Sequence, residues 1–251
     1  MLAKRIIPCL DIKGNEVVKG INFLEIHGAG DPLTLAKKYN DELADELMFL
    51  DITASHEKRK TLARLVRKLS EAIFIPFSVG GGISSLEDIR NLLNAGADKV
   101  SINTSAVISP GIIDSAAKRF GSSTIVVAID AKKIGEKYLV FTHGGRNNSG
   151  KDAVEWAREA YDRGAGEILL TSMDRDGTKE GYEINLTSRV VKSVRIPVIA
   201  SGGAKDAKDM EEVFVKADAS AALAASIFHY GETGIKDVKK YLKSKGLHVR
   251  L

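Results

Sequence analysis

"RIIPCLDIK", residues 5–13, and "STIVVAIDAK", residues 123–132, are two versions of one phrase. Each is a short run rich in β-branched residues that ends on one aspartate, Asp11 or Asp130, followed by Ile or Ala and then Lys. A continuous apolar run of this length, bounded by polar residues, reads as a strand buried on both faces, as in a parallel sheet.

Six further runs have the same character: "ELMFLD" (46–51), "PFSVG" (76–80), "KVSIN" (99–103), "EILLT" (167–171), "PVIAS" (197–201) and "SAALAA" (220–225). Amphipathic patterns fill the intervals. They are "PLTLAKKYNDEL" (32–43), "TLARLVRKLSEAI" (61–73), "LEDIRNLLNAG" (86–96), "GIIDSAAKRF" (111–120), "DAVEWAREAYDRG" (152–164), "LTSRVVKSV" (186–194), "AKDMEEVFVK" (207–216) and "IKDVKKYLKSKG" (235–246). Strand and helix alternate eight times with no linker, which predicts an α/β fold, a single (β/α)8 barrel over 1–251. The alternative is a doubly wound open sheet. It would normally carry a glycine fingerprint after its first strand, and "CLDIKGNE" is not one.

The repetition extends past the two aspartates. "FLDIT" at 49 pairs with "LLTSM" at 169, "IPFSVGGG" at 75 with "IPVIASGG" at 196, and "NTSA" near 103 with "AASI" near 224. Spacings of 119 to 121 residues predict two half-barrels, about 1–122 and 123–251, fused head to tail. The turns entering the even strands echo each other as "LADEL", "GADKV", "GAGEI" and "KADAS". Gly96 and Gly164 suit left-handed helix caps there, whereas Leu43 and Lys216 should cap differently.

Composition narrows the function classes. The 251 residues are 44% hydrophobic and 28% charged, with no apolar run approaching a membrane span, so no membrane role is expected. The start, "MLAKRIIPC", lacks a secretion signal, and the one cysteine, Cys9, fits a reducing cytoplasm and reads as core filling. Net charge is +4, from 37 basic and 33 acidic residues intermixed, which argues against nucleic acid as a partner. "HEKRK" (56–60) reads as a solvated approach to a helix. Five scattered histidines form no metal-ligand pattern, so no metal site is expected.

Barrel enzymes work at the carboxyl ends of their strands. Asp11 and Asp130 then face each other across the mouth, a pair suited to general acid and general base catalysis. The competing reading is that each caps its own loop. "VGGGIS" and "ASGGAK" follow strands three and seven, where Gly80, Gly81 and Gly82, or Gly202 and Gly203, let backbone N–H groups approach an anion. Asn103 and Thr104 follow strand four, and Ala225 and Ser226 follow strand eight. Strand eight carries one residue more than strand four, which leaves that last register open by one. One cradle per half implies a substrate with a phosphate at each end. Two long loops are lid candidates: "IKGNEVVKGINFLEIHGAG" after strand one, with Lys19, and "TSMDRDGTKEGYE" (171–183), with Asp174, Asp176, Gly177 and Thr178.

At the opposite end, Arg5, Glu46, Lys99 and Glu167 each precede an apolar run, so two cations and two anions can ring the barrel axis. That ring reads equally as a plug sealing the core or as a gate.

In their order, "CLDIK", "VVKGINF", "FLDITAS", "VGGGI", "VSINTSA", "AIDAK", "TSMDRDGTKEGY", "ASGGA" and "LAASIFH" resemble the cyclase subunits of imidazole glycerol phosphate synthases, over essentially the whole chain. The resemblance implies an enzyme of histidine biosynthesis. It would add ammonia to a bis-phosphorylated phosphoribulosyl-formimino aminoimidazole carboxamide ribonucleotide, releasing imidazole glycerol phosphate and aminoimidazole carboxamide ribonucleotide. It also implies Asp11 and Asp130 as acid and base, and proton shuttling with ring closure that needs no redox cofactor or metal. One phosphate falls to Gly82, Asn103 and Thr104, and the other to Gly177, Gly203, Ala225 and Ser226. A glutaminase subunit, the implied heterodimer partner, would dock on the ring face, making the ring an ammonia gate and Asp98 an interface contact. The nearest rival is the sister isomerase of the same pathway, also a duplicated barrel with two strand-end carboxylates. A non-catalytic scaffold is a further rival, against which both aspartates speak.

Overall fold

The computed structural model describes residues 2–13, 16–21, 24–52 and 56–251, and for 19–21, 24–29 and 56–61 the backbone only. Eight parallel strands form the barrel: β1 (Arg5–Lys13), β4 (Leu47–Asp51), β5 (Phe77–Gly80), β6 (Lys99–Ile102), β7 (Ile125–Ile134), β10 (Glu167–Ser172), β11 (Val198–Ser201) and β12 (Ala221–Ala224). They pair in sequence order, and the sheet closes where β12 meets β1, with Arg5 beside Ala221, and where β7 meets β10, with Asp130 beside Thr171. Helices α1 (Pro32–Asp41), α2 (His56–Ser70), α3 (Leu86–Asn94), α4 (Thr104–Ile108), α5 (Gly111–Phe120), α6 (Ala153–Asp162), α7 (Ile184–Ser193), α8 (Ala207–Lys216), α9 (Ser226–His229) and α10 (Ile235–Ser244) follow the strands. All eight apolar runs are barrel strands and all eight amphipathic patterns are helices. The short α4 and α9 are additions the sequence patterns did not mark. "HEKRK" forms the first turn of α2, and its side chains lie outside the described residues.

Side-chain alternation divides the core in two. On β1, Ile6, Leu10 and Ile12 face the helices in the larger cluster, while Ile7 and Cys9 face the axis. Met48, Val126, Leu169, Ile199, Ala221 and Leu223 join Cys9 and Ile7 there, so the interior is packed and apolar and Cys9 is core filling. The same alternation carries inward from Arg5 through Ile7 and Cys9 to Asp11, and through Val126 and Ala128 to Asp130.

The stretch after strand one differs from the lid loop expected of it. Its described parts form a hairpin, β2 (Glu16–Ile21) with β3 (Leu24–Gly30), extending β1 in antiparallel fashion. A matching hairpin, β8 (Lys137–Thr142) with β9 (Asn147–Asp152), extends β7. Asp11 therefore lies beside Leu50 in the parallel barrel and Val18 in the hairpin, as Asp130 lies beside Thr171 and Phe141. Both aspartates mark the point where a strand leaves the barrel. These registers also correct the second-strand correspondence by one residue, matching Leu50, not Asp51, to Thr171, the position in β10 that pairs with the aspartate.

The even-strand turns resolve unevenly. Gly96 and Gly164 take left-handed conformations, φ 111° and 101°. Leu43 was expected to cap differently, yet it adopts the same region at φ 64°, while in the last turn Asp218 at φ 54° takes the role, two residues beyond Lys216. A left-handed leucine is strained, and Leu43 is 47% exposed, so its side chain contributes little packing. Leu43→Gly should raise stability by about 1 kcal/mol in urea denaturation. An equal or lower midpoint would show that the leucine side chain offsets its backbone strain.

Among the described residues no helix is long and apolar enough to cross a membrane.

Candidate active site

Strand order sets β1 and β7 opposite each other, with three strands between them on either side. Asp11 and Asp130 thus enter the mouth from opposite walls. The Asn103 amide group, at the end of β6, donates to Asp130 Oδ2 at 2.9 Å. Burial pushes the Asp130 carboxyl up to about 6; the Asn103 bond opposes this and the nearby negative charge of Asp176 adds to it. Burial disfavours charge more than one hydrogen bond restores it, so Asp130 holds a proton over a range where ordinary aspartates are ionised. Asp11 accepts a long contact from the Cys9 thiol, 3.6 Å from Sγ to Oδ1.

The glycine turns match in the two halves. Gly81 and Gly82 have φ 98° and 63°, and Gly202 and Gly203 have 92° and 101°. Packing already demands these glycines. A Cβ on Gly81 would stand 2.0 Å from the Asp51 carbonyl oxygen, one on Gly202 2.6 Å from that of Ser172, and one on Gly203 2.2 Å from that of Gly181. Their presence therefore does not by itself mark an anion site. Their position after β5 and β11 does place glycine backbone at the mouth.

Asn103 and Ala225 are the residues preceding α4 and α9, with φ/ψ of −129°/−92° and −123°/−75°. That near-identity settles the open register: Ala225 corresponds to Asn103 and Ser226 to Thr104. The extra residue lies in α8, which has ten residues to the nine of α3, while β6 and β12 are equal in length. Thr104 Oγ1 accepts from the His143 amide at 2.9 Å, so the turn after β8 reaches onto the start of α4. The Ser105 hydroxyl donates to the Ile83 carbonyl at 2.7 Å, tying α4 to the glycine turn. Asp176 and Gly177 lie in the loop between β10 and α7, with the Asp176 amide donating to the Ser172 carbonyl at 3.0 Å. Asp174 instead braces that loop, accepting from the Lys133 amide at 2.8 Å. Lys19 belongs to β2; its side chain lies outside the described residues, as do residues 53–55 of "FLDITAS".

Sequence reading passed over Thr171 and Ser201. Alternation from the axial Leu169 and Ile199 turns both toward the mouth, and counting by twos along each strand is the signal that finds them. The His143 contact left no local trace beyond a glycine turn.

The four charges at the other end close into a ring. Arg5 bonds Glu46 at 2.8 Å and also bonds Glu167; Lys99 bonds Glu46 at 2.9 Å and Glu167 at 2.8 Å. Signs alternate around it, and the Ser78 hydroxyl donates to Glu46 at 2.7 Å. Burial works against the Arg5 charge, but Glu167 and Glu46 outweigh it and raise its pKa. The carboxylate side chains are 3% and 5% exposed and the cations 20%, so the ring is reached from outside through its cations. The strand-eight counterpart of Lys99 is Ala221, and Arg5 stands beside it on β1. Asp98 has a structural task as well: Oδ2 accepts from the Phe77 amide at 2.9 Å, as Asp45 accepts from Ile6 at 2.8 Å.

Among the described residues no group of three or more His, Cys, Asp or Glu is placed to hold a metal ion. Two opposed carboxylates of unequal environment, between paired glycine turns in a duplicated barrel, agree with a family comparison over nearly the whole chain. Residues 5–234 match the family described as histidine biosynthesis protein, and the chain belongs to that family of barrel enzymes.

Proposed function

We propose that the chain is the cyclase subunit of an imidazole glycerol phosphate synthase. It would take ammonia from a glutaminase subunit docked on the ring face and use it to convert the bis-phosphorylated formimino intermediate into imidazole glycerol phosphate and aminoimidazole carboxamide ribonucleotide. The closed ring of Arg5, Glu46, Lys99 and Glu167 carries this reading over the isomerase. It lies on the barrel axis, directly below the apolar interior that leads to the two aspartates. An isomerase that takes no ammonia has no use for an axial polar gate.

In the proposed reaction the substrate spans the mouth. One phosphate lies on Gly82, Asn103 and Thr104, the other on Gly177, Gly203, Ala225 and Ser226, with Lys19 as a further cation. The formimino centre then falls between Asp11 and Asp130. Asp130 is the proton donor, because burial keeps its carboxyl protonated to higher pH. Asp11 is the base that accepts the proton released as ammonia adds and the ring closes. Asp98 is proposed to keep its second carboxylate oxygen for the partner.

The test offers the purified chain each of two pathway intermediates, the isomerase's precursor and the bis-phosphorylated product, with ammonium salt. Product absorbance should develop only with the second. Conversion of the precursor would identify an isomerase, and inertness toward both would favour a scaffold.

A further inference from the structure

Loop 173–183 touches the second-half glycine turn at two places. The Gly181 amide donates to the Gly203 carbonyl at 2.8 Å. A Cβ on Gly202 would stand 3.4 Å from the Asp176 amide nitrogen, so the loop backbone lies directly on that glycine. At the outer edge of the loop, Lys179 Nζ meets both carboxylate oxygens of Glu232, at 2.6 and 2.8 Å. Glu232 lies between α9, which begins at Ser226, and α10. The loop that carries Gly177 is thus tied on one side to the turn of Gly203 and on the other to the segment after α9, the helix that Ser226 begins.

The backbone at Lys179 has φ 57°, a conformation that residues with side chains rarely adopt. Glycines stand nearby at 177 and 181, yet the left-handed position between them holds a lysine, so the position uses the lysine's reach.

We infer that the Lys179–Glu232 ion pair holds loop 173–183 closed on the second-half cradle, making both residues positioning residues for the anion bound there. This rests on the reading of Gly177, Gly203 and Ser226 as a phosphate site. An exposed pair of this kind is weak and screened by salt, so its loss should weaken binding about two- to fivefold.

Inorganic phosphate titrated into the full chain, followed through the amide signals of Gly177, Gly203 and Gly82, tests the inference. Glu232→Gln is the decisive variant. It removes a negative charge near an anion site, so simple electrostatics would tighten binding, whereas loss of the latch weakens it. The expected result is about two- to fivefold weaker binding at Gly177 and Gly203 at low salt, no change at Gly82, and recovery in the Lys179→Glu/Glu232→Lys double variant. Tighter or unchanged binding in Glu232→Gln, or no recovery in the double variant, overturns the latch alone. Absence of any response at Gly177 and Gly203 in the parent chain overturns the cradle reading and the latch with it.

Discussion

Asp130→Asn should abolish turnover and, in the same molecule, raise the stability of the fold. Removing a catalytic acid or base costs about 10²- to 10⁴-fold in rate, and the Asn variants of Asp11 and Asp130 should both lose at least that much while still binding the bis-phosphate. Stability separates them. The folded-state pKa of Asp130 is raised from 3.8 to about 6. Between those values the folded chain holds a proton that the unfolded chain has lost. Stability is thus greatest below the unfolded value and falls as pH rises through about 6. An asparagine keeps the Asn103 contact and escapes that loss. Urea denaturation should show Asp130→Asn about 1–3 kcal/mol more stable than the parent at pH 7 and no different below about pH 4. An active variant would remove Asp130 from catalysis; an inactive one with parental stability at pH 7 would mean that its carboxyl is ordinary.

Under the proposed function, neutralising a ring cation should lower glutamine-dependent activity while sparing activity with free ammonium. With Lys99→Met, Glu46 and Glu167 are left buried with only Arg5 between them, and uncompensated buried carboxylates repel or take up protons. The aspartates lie at the far end of the strands and are untouched. Activity with free ammonium, which can reach the mouth from solvent, should stay within about twofold of the parent, whereas a loss of about 1.4 kcal/mol in gating lowers glutamine-dependent activity about tenfold. Arg5→Met should act alike. The readout is the ratio of the two activities in the presence of the glutaminase. An unchanged ratio in both variants would make the ring a plug for the core.

The barrel was legible because eight short, largely apolar runs are each followed by a helical pattern, and the doubly wound alternative lacks its glycine fingerprint after strand one. The candidate site was legible in its placement wherever it repeats: Asp11 stands opposite Asp130, and Gly81–Gly82 share left-handed backbone with Gly202–Gly203. What stayed hidden depends on contacts between distant residues. The hairpin after β1 was read as a lid because "KGNEVVKGINF" is polar and glycine-rich, and its partner hairpin escaped notice although "KYLVFT" alternates and is bounded by Gly135. Asp130 owes its raised pKa to surrounding walls, and its hydrogen bond comes from Asn103, 27 residues away in sequence. Leu43 looked unable to replace a left-handed glycine, yet hydrogen bonding holds it there: its amide donates to the Asn40 carbonyl at 3.0 Å, and the buried Lys239 binds its carbonyl.

Isotope tracing tests the central claim most directly. The purified chain is given the bis-phosphorylated formimino intermediate with ¹⁵N-labelled ammonium as the only added nitrogen source, and both products are weighed by mass spectrometry. The account predicts one labelled nitrogen in imidazole glycerol phosphate and none in aminoimidazole carboxamide ribonucleotide. Substrate consumed without label in the imidazole product, or at a rate indifferent to ammonium, would contradict it.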